Sequence, residues 1–358
     1  MNIYILLSFI ISTVCGLVFT PLILAFCKKR KLYDIPNERK VHKNAIPRLG
    51  GMSFFPSMMT AFAIQLIYFS IMQRQDIPMN IWSAGFVLGL GIIYIVGIID
   101  DLIGLNANIK FFAQITTACI LPLTGLYINN LYGLFGINEI PAFVGMPLTV
   151  FAIVFIVNAV NLIDGIDGLA SGLALLALCG FLAYFIHYKV YLNTYAVLAA
   201  GMVGVLVAFM FFNIFGKAEN NTKIFMGDSG SLSLGFTLGF LTVKCAMNNP
   251  ALWSYRPEAL IVPITLLFVP SIDVVRVTFY RLRHHKSVFD ADKNHIHHKL
   301  MRAGLTQHQT LCFILLLAIA IGGLNYVLNM QLPTTWILFI DIVIYTVLNL
   351  GINTKLRD

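Results

Sequence analysis

Apolar stretches of about 20 residues follow one another along nearly the whole chain, and this one feature removes most folds from consideration. Once helical, each is long enough to cross the hydrocarbon of a bilayer, where a helix satisfies its own backbone polar groups without water. Eleven such windows are read near 3–27, 49–72, 81–99, 111–130, 143–163, 168–187, 194–215, 226–247, 258–280, 309–330 and 333–352. The expected architecture is an all-α polytopic membrane protein of about eleven transmembrane helices, a single integral membrane domain over 1–358. The run from Met1 to Cys27 has no early Lys or Arg and no small-residue cleavage site, so it reads as a retained first span.

Only 11% of the residues are charged, against about 25% in soluble domains, so their placement is informative. With connecting segments alternating between two sides, twenty Lys and Arg fall on one side, and Arg74, Lys189, Lys244 and Arg256 on the other. That bias makes the first side cytoplasmic, with the N-terminus outside and the C-terminus inside. The net charge of +8 then reflects orientation and attraction to anionic lipid, and it does not point to nucleic acid. The six cysteines are scattered through apolar segments without paired spacing, which speaks against a disulfide framework or a zinc site.

The same partition sorts the acids: Asp100, Asp101, Asp164, Asp167, Asp228, Asp290 and Asp292 fall at inner ends or loops, and Asp76, Glu139 and Glu258 on the outer side. The most unusual inner stretch is NAVNLIDGIDGLASG, Asn158 to Gly172. Asn158, Asn161, Asp164 and Asp167 recur every third residue, and at about 100° per residue an unbroken helix swings the first and last onto opposite sides. Gly165 and Gly168 therefore predict a helix end, a short turn and a second helix starting near Leu169. Carboxylates at membrane level are costly, which makes a functional site the default reading, with polar helix–helix contacts as the bland one.

Four further segments carry chemistry. In GIIDDLIGL, Asp100 and Asp101 stand side by side, and adjacent carboxylates favour a shared cation or one raised pKa. Lys110 follows and reads as a snorkelling residue at the interface. In KIFMGDSGSLSLG, Asp228 lies at a helix start among Gly227, Ser229, Gly230 and Ser231, an arrangement suited to a metal and phosphate. Hard oxygen ligands drawn from Asp100, Asp101, Asp164, Asp167 or Asp228 match magnesium, with manganese as a substitute. The first inner loop, RKVHKNAIPRLGG, is basic and stiffened by proline, and Lys43 and Arg48 suit phosphate as a point charge and a planar fork. The last inner loop holds Asp273, Arg276 and the cluster His295, His297 and His298. Asp273 and Arg276, three apart on a helix, either pair with each other or leave Arg276 for substrate. The histidines, flanked by Lys293 and Lys299 and lacking a partner cysteine, read as anion ligands before they read as zinc ligands.

Taken in order, IIDDLIGL, NAVNLIDGIDGLASG, FMGDSGSLSLG and NHIHHKL resemble the polyprenyl-phosphate N-acetylhexosamine-1-phosphate transferase superfamily, of the glycosyltransferase family 4 type. RKVHKNAIPRLGG and the HIHH cluster are most similar to the branch that moves GlcNAc-1-phosphate from UDP-GlcNAc to undecaprenyl phosphate, the first membrane step of O-antigen, enterobacterial common antigen or teichoic acid synthesis. IPRLGG replaces the TPTMGG-like sequence of the phospho-MurNAc-pentapeptide transferases, the alternative within the superfamily. The resemblance implies that Asp228 is the principal magnesium ligand, with Asp100 and Asp101 as catalytic residues beside it that also face the metal. It further implies that Asn161, Asp164 and Asp167 line the nucleotide–sugar cleft, and that Lys43, His295, His297 and His298 hold phosphate or sugar, a set to which Arg276 is added. The partners implied are a UDP-sugar, undecaprenyl phosphate and membrane lipids, with a homodimer left open, in a bacterial inner membrane with the site facing the cytoplasm. An ion-coupled transporter is the rival from another class, but its polar groups would gather at the bilayer midplane rather than at one face.

Overall fold

Thirteen α-helices make up most of the described residues of this computed structural model, which comprise 2–34, 45–68, 80–188, 193–251, 254–287 and 293–356. Helix α1 (Asn2–Arg30) ends in Lys28, Lys29 and Arg30, cations that suit the negative end of the helix dipole. It packs along α7 (Asn193–Ile214) and beside α2 (Phe54–Tyr68). The chain continues through α3 (Ile81–Ile103), α4 (Ala107–Leu123), α5 (Ala142–Ile163) and α6 (Leu169–His187). After α7 come α8 (Gly227–Ala246), α9 (Ile261–Leu266), α10 (Phe268–Arg283), α11 (Ile296–Arg302), α12 (Gln307–Leu328) and α13 (Thr334–Lys355).

Helix α8 is the axis of the bundle: every residue from Ser229 to Ala246 is buried, chiefly against α3 and α5. Its small residues allow that closeness, as small-residue faces do between membrane helices. A Cβ on Gly235 would lie 2.7 Å from Val157 Cα of α5, and one on Gly97 of α3 would lie 2.5 Å from Ser229 Cα. Ser233 and Thr237 turn their hydroxyls back to the carbonyls of Ser229 (2.6 Å) and Ser233 (2.9 Å), so these two hydroxyls are satisfied within the helix.

Seven helices, α1, α3, α5, α6, α7, α12 and α13, are long and apolar enough to cross a membrane, as expected of a multi-pass membrane protein. The other four windows of the eleven expected also fall on helices, but these do not meet that standard among the described residues. Helices α2 and α4 are 15 and 17 residues long, α8 is rich in Gly, Ser and Thr, and α9 breaks from α10 at Leu267. The all-α expectation also gains two small antiparallel pairs, Tyr33–Asp34 with Ile46–Pro47 and Asn130–Leu134 with Ile137–Glu139.

Three features place functional residues. Helix α5 ends at Ile163 and α6 begins at Leu169, with Gly168 at φ 77°, so the break read from the sequence is present. The segment 46–51, a short strand running into a 3-10 turn, clasps the approach to α8 through Phe225 N to Pro47 O (2.8 Å), Gly50 N to Phe225 O (2.9 Å) and Gly51 N to Met226 O (2.8 Å). Within the helical region, Asp341 of α13 is fully buried and accepts from Asn325 Nδ2 of α12 at 2.7 Å, while the same amide reaches Thr265 of α9 at 2.9 Å.

Candidate active site

A cleft of about 450 Å³ opens where the ends of α3 and α5 meet the start of α8, and Asp100, Asp101, Asn161, Asp164, Asp167 and Asp228 all line it. The acidic residues that the sequence scatters over more than 120 positions are thus brought together, each by its own local device.

Asp101 sits in the last turn of α3 and accepts hydrogen bonds from the backbone N–H groups of Asp228 (2.8 Å) and Ser229 (2.9 Å). It is an N-terminal cap for α8 supplied by another helix, satisfying donors that a helix start leaves open. The connection tolerates no side chain at Gly227, which has φ 72° and whose Cβ would lie 2.0 Å from Arg48 O and 2.6 Å from Asp101 Oδ2. Arg48, expected to reach phosphate, donates to the backbone carbonyl of Asp101 and lines the cleft from the first loop.

Asp228 is held from two directions. Asn161 Nδ2, at the end of α5, donates to Asp228 Oδ1 (2.9 Å) and to Ser231 Oγ (2.8 Å). Lys110, in the first turn of α4, places its ammonium 2.8 Å from Asp228 Oδ2 and 3.1 Å from Asp100 Oδ2. The lysine read as a snorkelling residue is therefore the cation shared by two of the site's carboxylates. Its partner Asp228 lies 118 residues away, a separation no local pattern reveals.

On the opposite wall, Asp167 pairs with Lys223 at 2.7 Å, and Lys223 also donates to Asn213 O at 2.6 Å. Asn213 fixes the break between α5 and α6 by accepting from Gly168 N (2.8 Å) while donating to Ile224 O (2.8 Å). Asp164 is exposed to the cleft, and Phe225 and His298 supply aromatic rings to its lining. Asn158 turns away, donating to Gln114 Oε1 of α4 at 2.6 Å, as the helical spacing required. Lys110, Asn213, Lys223 and Phe225 are the residues that sequence reasoning did not place here. Only the nearness of Phe225 and Lys223 to the GDSG turn was a signal.

The histidine cluster, read as one anion-binding unit, divides three ways. His295 Nδ1 lies 2.8 Å from Asp273 Oδ2, outside the cleft. Arg276 is likewise drawn to Asp273 Oδ1 (2.7 Å) and to the carbonyl of Asn294, so its pairing option, rather than the substrate option, is the one realised. His297 is buried with both ring nitrogens lacking hydrogen bonds, directly beneath Gly165. Burial, then the neighbouring His298 and His295, push its pKa down to about 3, so it is neutral at physiological pH. His298 alone of the three lines the cleft. Lys43 lies outside the described residues.

Among the described residues, no group of three or more His, Cys, Asp or Glu stands arranged to hold a metal ion unaided. The donor chemistry of Asp100 and Asp228 nevertheless suits a hard divalent cation. Magnesium typically uses one or two protein carboxylates and completes its shell with water and phosphate oxygens, and here two carboxylates already converge on a positive centre. Asp101 fits that role less well, because both its oxygens are engaged by backbone donors.

A second opening lies between α4 and α5. Phe111, Ile115 and Cys119 of α4 face Met146, Val150 and Val154 of α5 across an apolar groove of about 630 Å³. Phe111, which lines this groove, follows Lys110 directly in the chain.

The sequence profile described as glycosyl transferase family 4 matches residues 83–246, the segment that supplies α3 to α8. A probable undecaprenyl-phosphate N-acetylglucosaminyl 1-phosphate transferase of Bacillus subtilis is 31% identical over 326 residues, covering 87% of this chain and 82% of that protein. Undecaprenyl-phosphate alpha-N-acetylglucosaminyl 1-phosphate transferases of Yersinia pestis and Escherichia coli K12 are 29% and 28% identical, over 80% and 86% of this chain and 74% and 80% of theirs.

Proposed function

The chain belongs to glycosyl transferase family 4, and from that premise we propose that it transfers GlcNAc-1-phosphate from UDP-GlcNAc to undecaprenyl phosphate. The observation that carries this reading is an acidic cleft whose Asp100 and Asp228 share the Lys110 cation, with an apolar groove lined by the next residue, Phe111. A lipid phosphate has one charged end and one long apolar end. The groove between α4 and α5 accepts the isoprenoid, and its head then emerges beside Lys110.

UDP-GlcNAc occupies the cleft with its uracil against Phe225 and its sugar toward His298. An oxygen of the lipid phosphate attacks the phosphorus that carries the sugar, and the bond from that phosphorus to the bridging oxygen breaks. UMP leaves with the bridging oxygen, and the product is the undecaprenyl diphosphate sugar. The lipid phosphate is ionised near neutral pH and needs no base for this step. The difficulty is repulsion among phosphoryl groups, which catalysis of this kind meets with fixed positive charge. Lys110 and Arg48 lie at the cleft for that purpose, and Lys223 holds Asp167 on the far wall. Asp228 and Asp100 would hold magnesium, which supplies charge neutralisation at the diphosphate when bound. Asn161 orients Asp228, and Asp101 locks the helix start on which Asp228 rides.

The excess of Lys and Arg in the segments at the cleft end supports a cleft that faces the cytoplasm. The deciding experiment is UMP release by purified protein given UDP-GlcNAc, undecaprenyl phosphate and magnesium. No release with any UDP-sugar overturns the transferase reading. Undiminished release in excess chelator removes magnesium while leaving transfer standing.

A further inference from the structure

Helix α11 is seven residues long, too short to hold its shape alone, so its position depends on what grips it. Its N-terminal grip is Asp273, fully buried on α10, which accepts from His295 Nδ1 (2.8 Å), from the backbone N–H of Ile296 (3.1 Å) and from Arg276 (2.7 Å). The fourth donor to Asp273 comes from another helix: the Tyr345 hydroxyl of α13, at 3.0 Å. One turn along α11, Lys299 reaches Asn349 (3.4 Å) and Asn353 (3.0 Å), again on α13. Tyr345, Asn349 and Asn353 are spaced four apart and share one face of their helix. Between these two grips lie His297, beneath Gly165, and His298, in the cleft.

We infer that α13 is a clamp that positions the histidine segment, with Tyr345 acting through Asp273 and the Asn349–Asn353 pair acting through Lys299. The clamp lies outside residues 83–246, the part of the chain matched by the family profile. Tyr345 touches no substrate; it sets how often α11 presents His298 correctly. The inference rests on the reading of the cleft as the UDP-sugar site.

Tyr345→Phe removes only the hydroxyl and keeps the ring against Phe268, whose centroid lies 6.2 Å away. Losing one hydrogen bond to a charged acceptor lowers the fraction of correctly placed segment. The KM for UDP-GlcNAc is expected to rise about tenfold while kcat falls far less. In a His298→Ala background the same change should shift KM less than about twofold, because the group being positioned is gone. An equal shift in both backgrounds, or no shift, overturns the clamp. Amide hydrogen exchange over 295–302 in substrate-free protein gives a readout independent of turnover. It should quicken in Tyr345→Phe while α8 stays protected, and unchanged exchange overturns the clamp even if KM moves. If Tyr345→Phe does not fold, Asn353→Ala, which loosens the far grip, should show the same two signatures, and their absence counts against the clamp equally. A wild-type protein that turns over no UDP-sugar defeats the functional reading, and the exchange measurement still decides the clamp.

Discussion

Replacing Gly165 with alanine tests whether the α5–α6 break and the histidine segment form one fitted surface. Gly165 does not have a left-handed backbone, so alanine is acceptable locally and the cost is steric. The new Cβ would lie 2.2 Å from His297 Nε2 and 2.6 Å from Cε1, whereas ordinary contact begins at 3.4 Å. The ring must therefore withdraw by 1.2 Å from the shortest of these contacts. It has little freedom to do so, being 1% exposed and packed between His295 at 5.9 Å and His298 at 4.2 Å between centroids. Overpacking of this kind costs about 1–3 kcal/mol, which a folded protein survives. A displacement near 1 Å in a positioning group, by contrast, costs about 100-fold in rate. UMP release by Gly165→Ala should accordingly show kcat/KM down about 100-fold with a modest loss of thermal stability. In a His297→Ala background the space exists, and adding Gly165→Ala should cost less than about threefold more. Activity within a few fold of wild type, or a full hundredfold loss in both backgrounds, would refute the argument.

Lys110→Met leaves Asp100 and Asp228 without their shared cation; turnover should fall by about 100-fold or more, while Mn2+ binding followed by EPR tightens. Unchanged Mn2+ affinity would remove the Asp100–Asp228 pair as the metal seat. Phe225→Ala should raise the KM for UDP-GlcNAc about tenfold through lost base stacking and leave the KM for undecaprenyl phosphate alone; equal shifts in both would place the uracil elsewhere. For His297, the folded pKa of about 3 lies below the ordinary 6.5, so between those values the unfolded chain binds the proton and the folded one does not. Its stabilising preference is fully present above pH 6.5 and is lost as pH falls, by about 2 kcal/mol on reaching pH 5. Melting temperatures of His297→Asn should decline less over pH 6.5 to 5 than those of the wild type, and parallel declines would contradict the buried neutral ring.

Local signals in the sequence were dependable where periodicity and backbone chemistry decide the outcome. Apolar windows became helices, and paired glycines ended α5 at Ile163 and began α6 at Leu169. The inner acids could be grouped because a membrane confines them to span ends, which leaves few places for them to meet. Long-range pairing was not legible. A lysine opening a helix looks like any interfacial lysine until Asp228 stands beside it. The histidines were read as a unit because they are neighbours in sequence, yet helical geometry from Ile296 onward turns successive side chains by about 100°. His297 therefore points under Gly165 and His298 into the cleft, while His295, just before the helix, turns to Asp273. Asp273 itself passed as half of a local ion pair because its other partners, His295 and Tyr345, lie 22 and 72 residues away. At α8 the Gly, Ser and Thr content lowers the hydropathy of a helix that is buried among its neighbours from Ser229 to Ala246, so composition alone does not mark it as a span.

The bond between Asn325 and Asp341 bears on how the chain enters the bilayer. An aspartate at the centre of a helix costs about 2.5–3.5 kcal/mol in translocon-mediated insertion, and α13 carries one whose bonded partner is the neutral Asn325 amide. Helix α12 carries an amide that alone would also face hydrocarbon. Only Asn329 to Pro333 separates the two helices, so the amide and the carboxyl can join as a hairpin forms, before either is abandoned to lipid. The two helices are thereby committed to enter together, and the insertion yield of one is set by a side chain on the other.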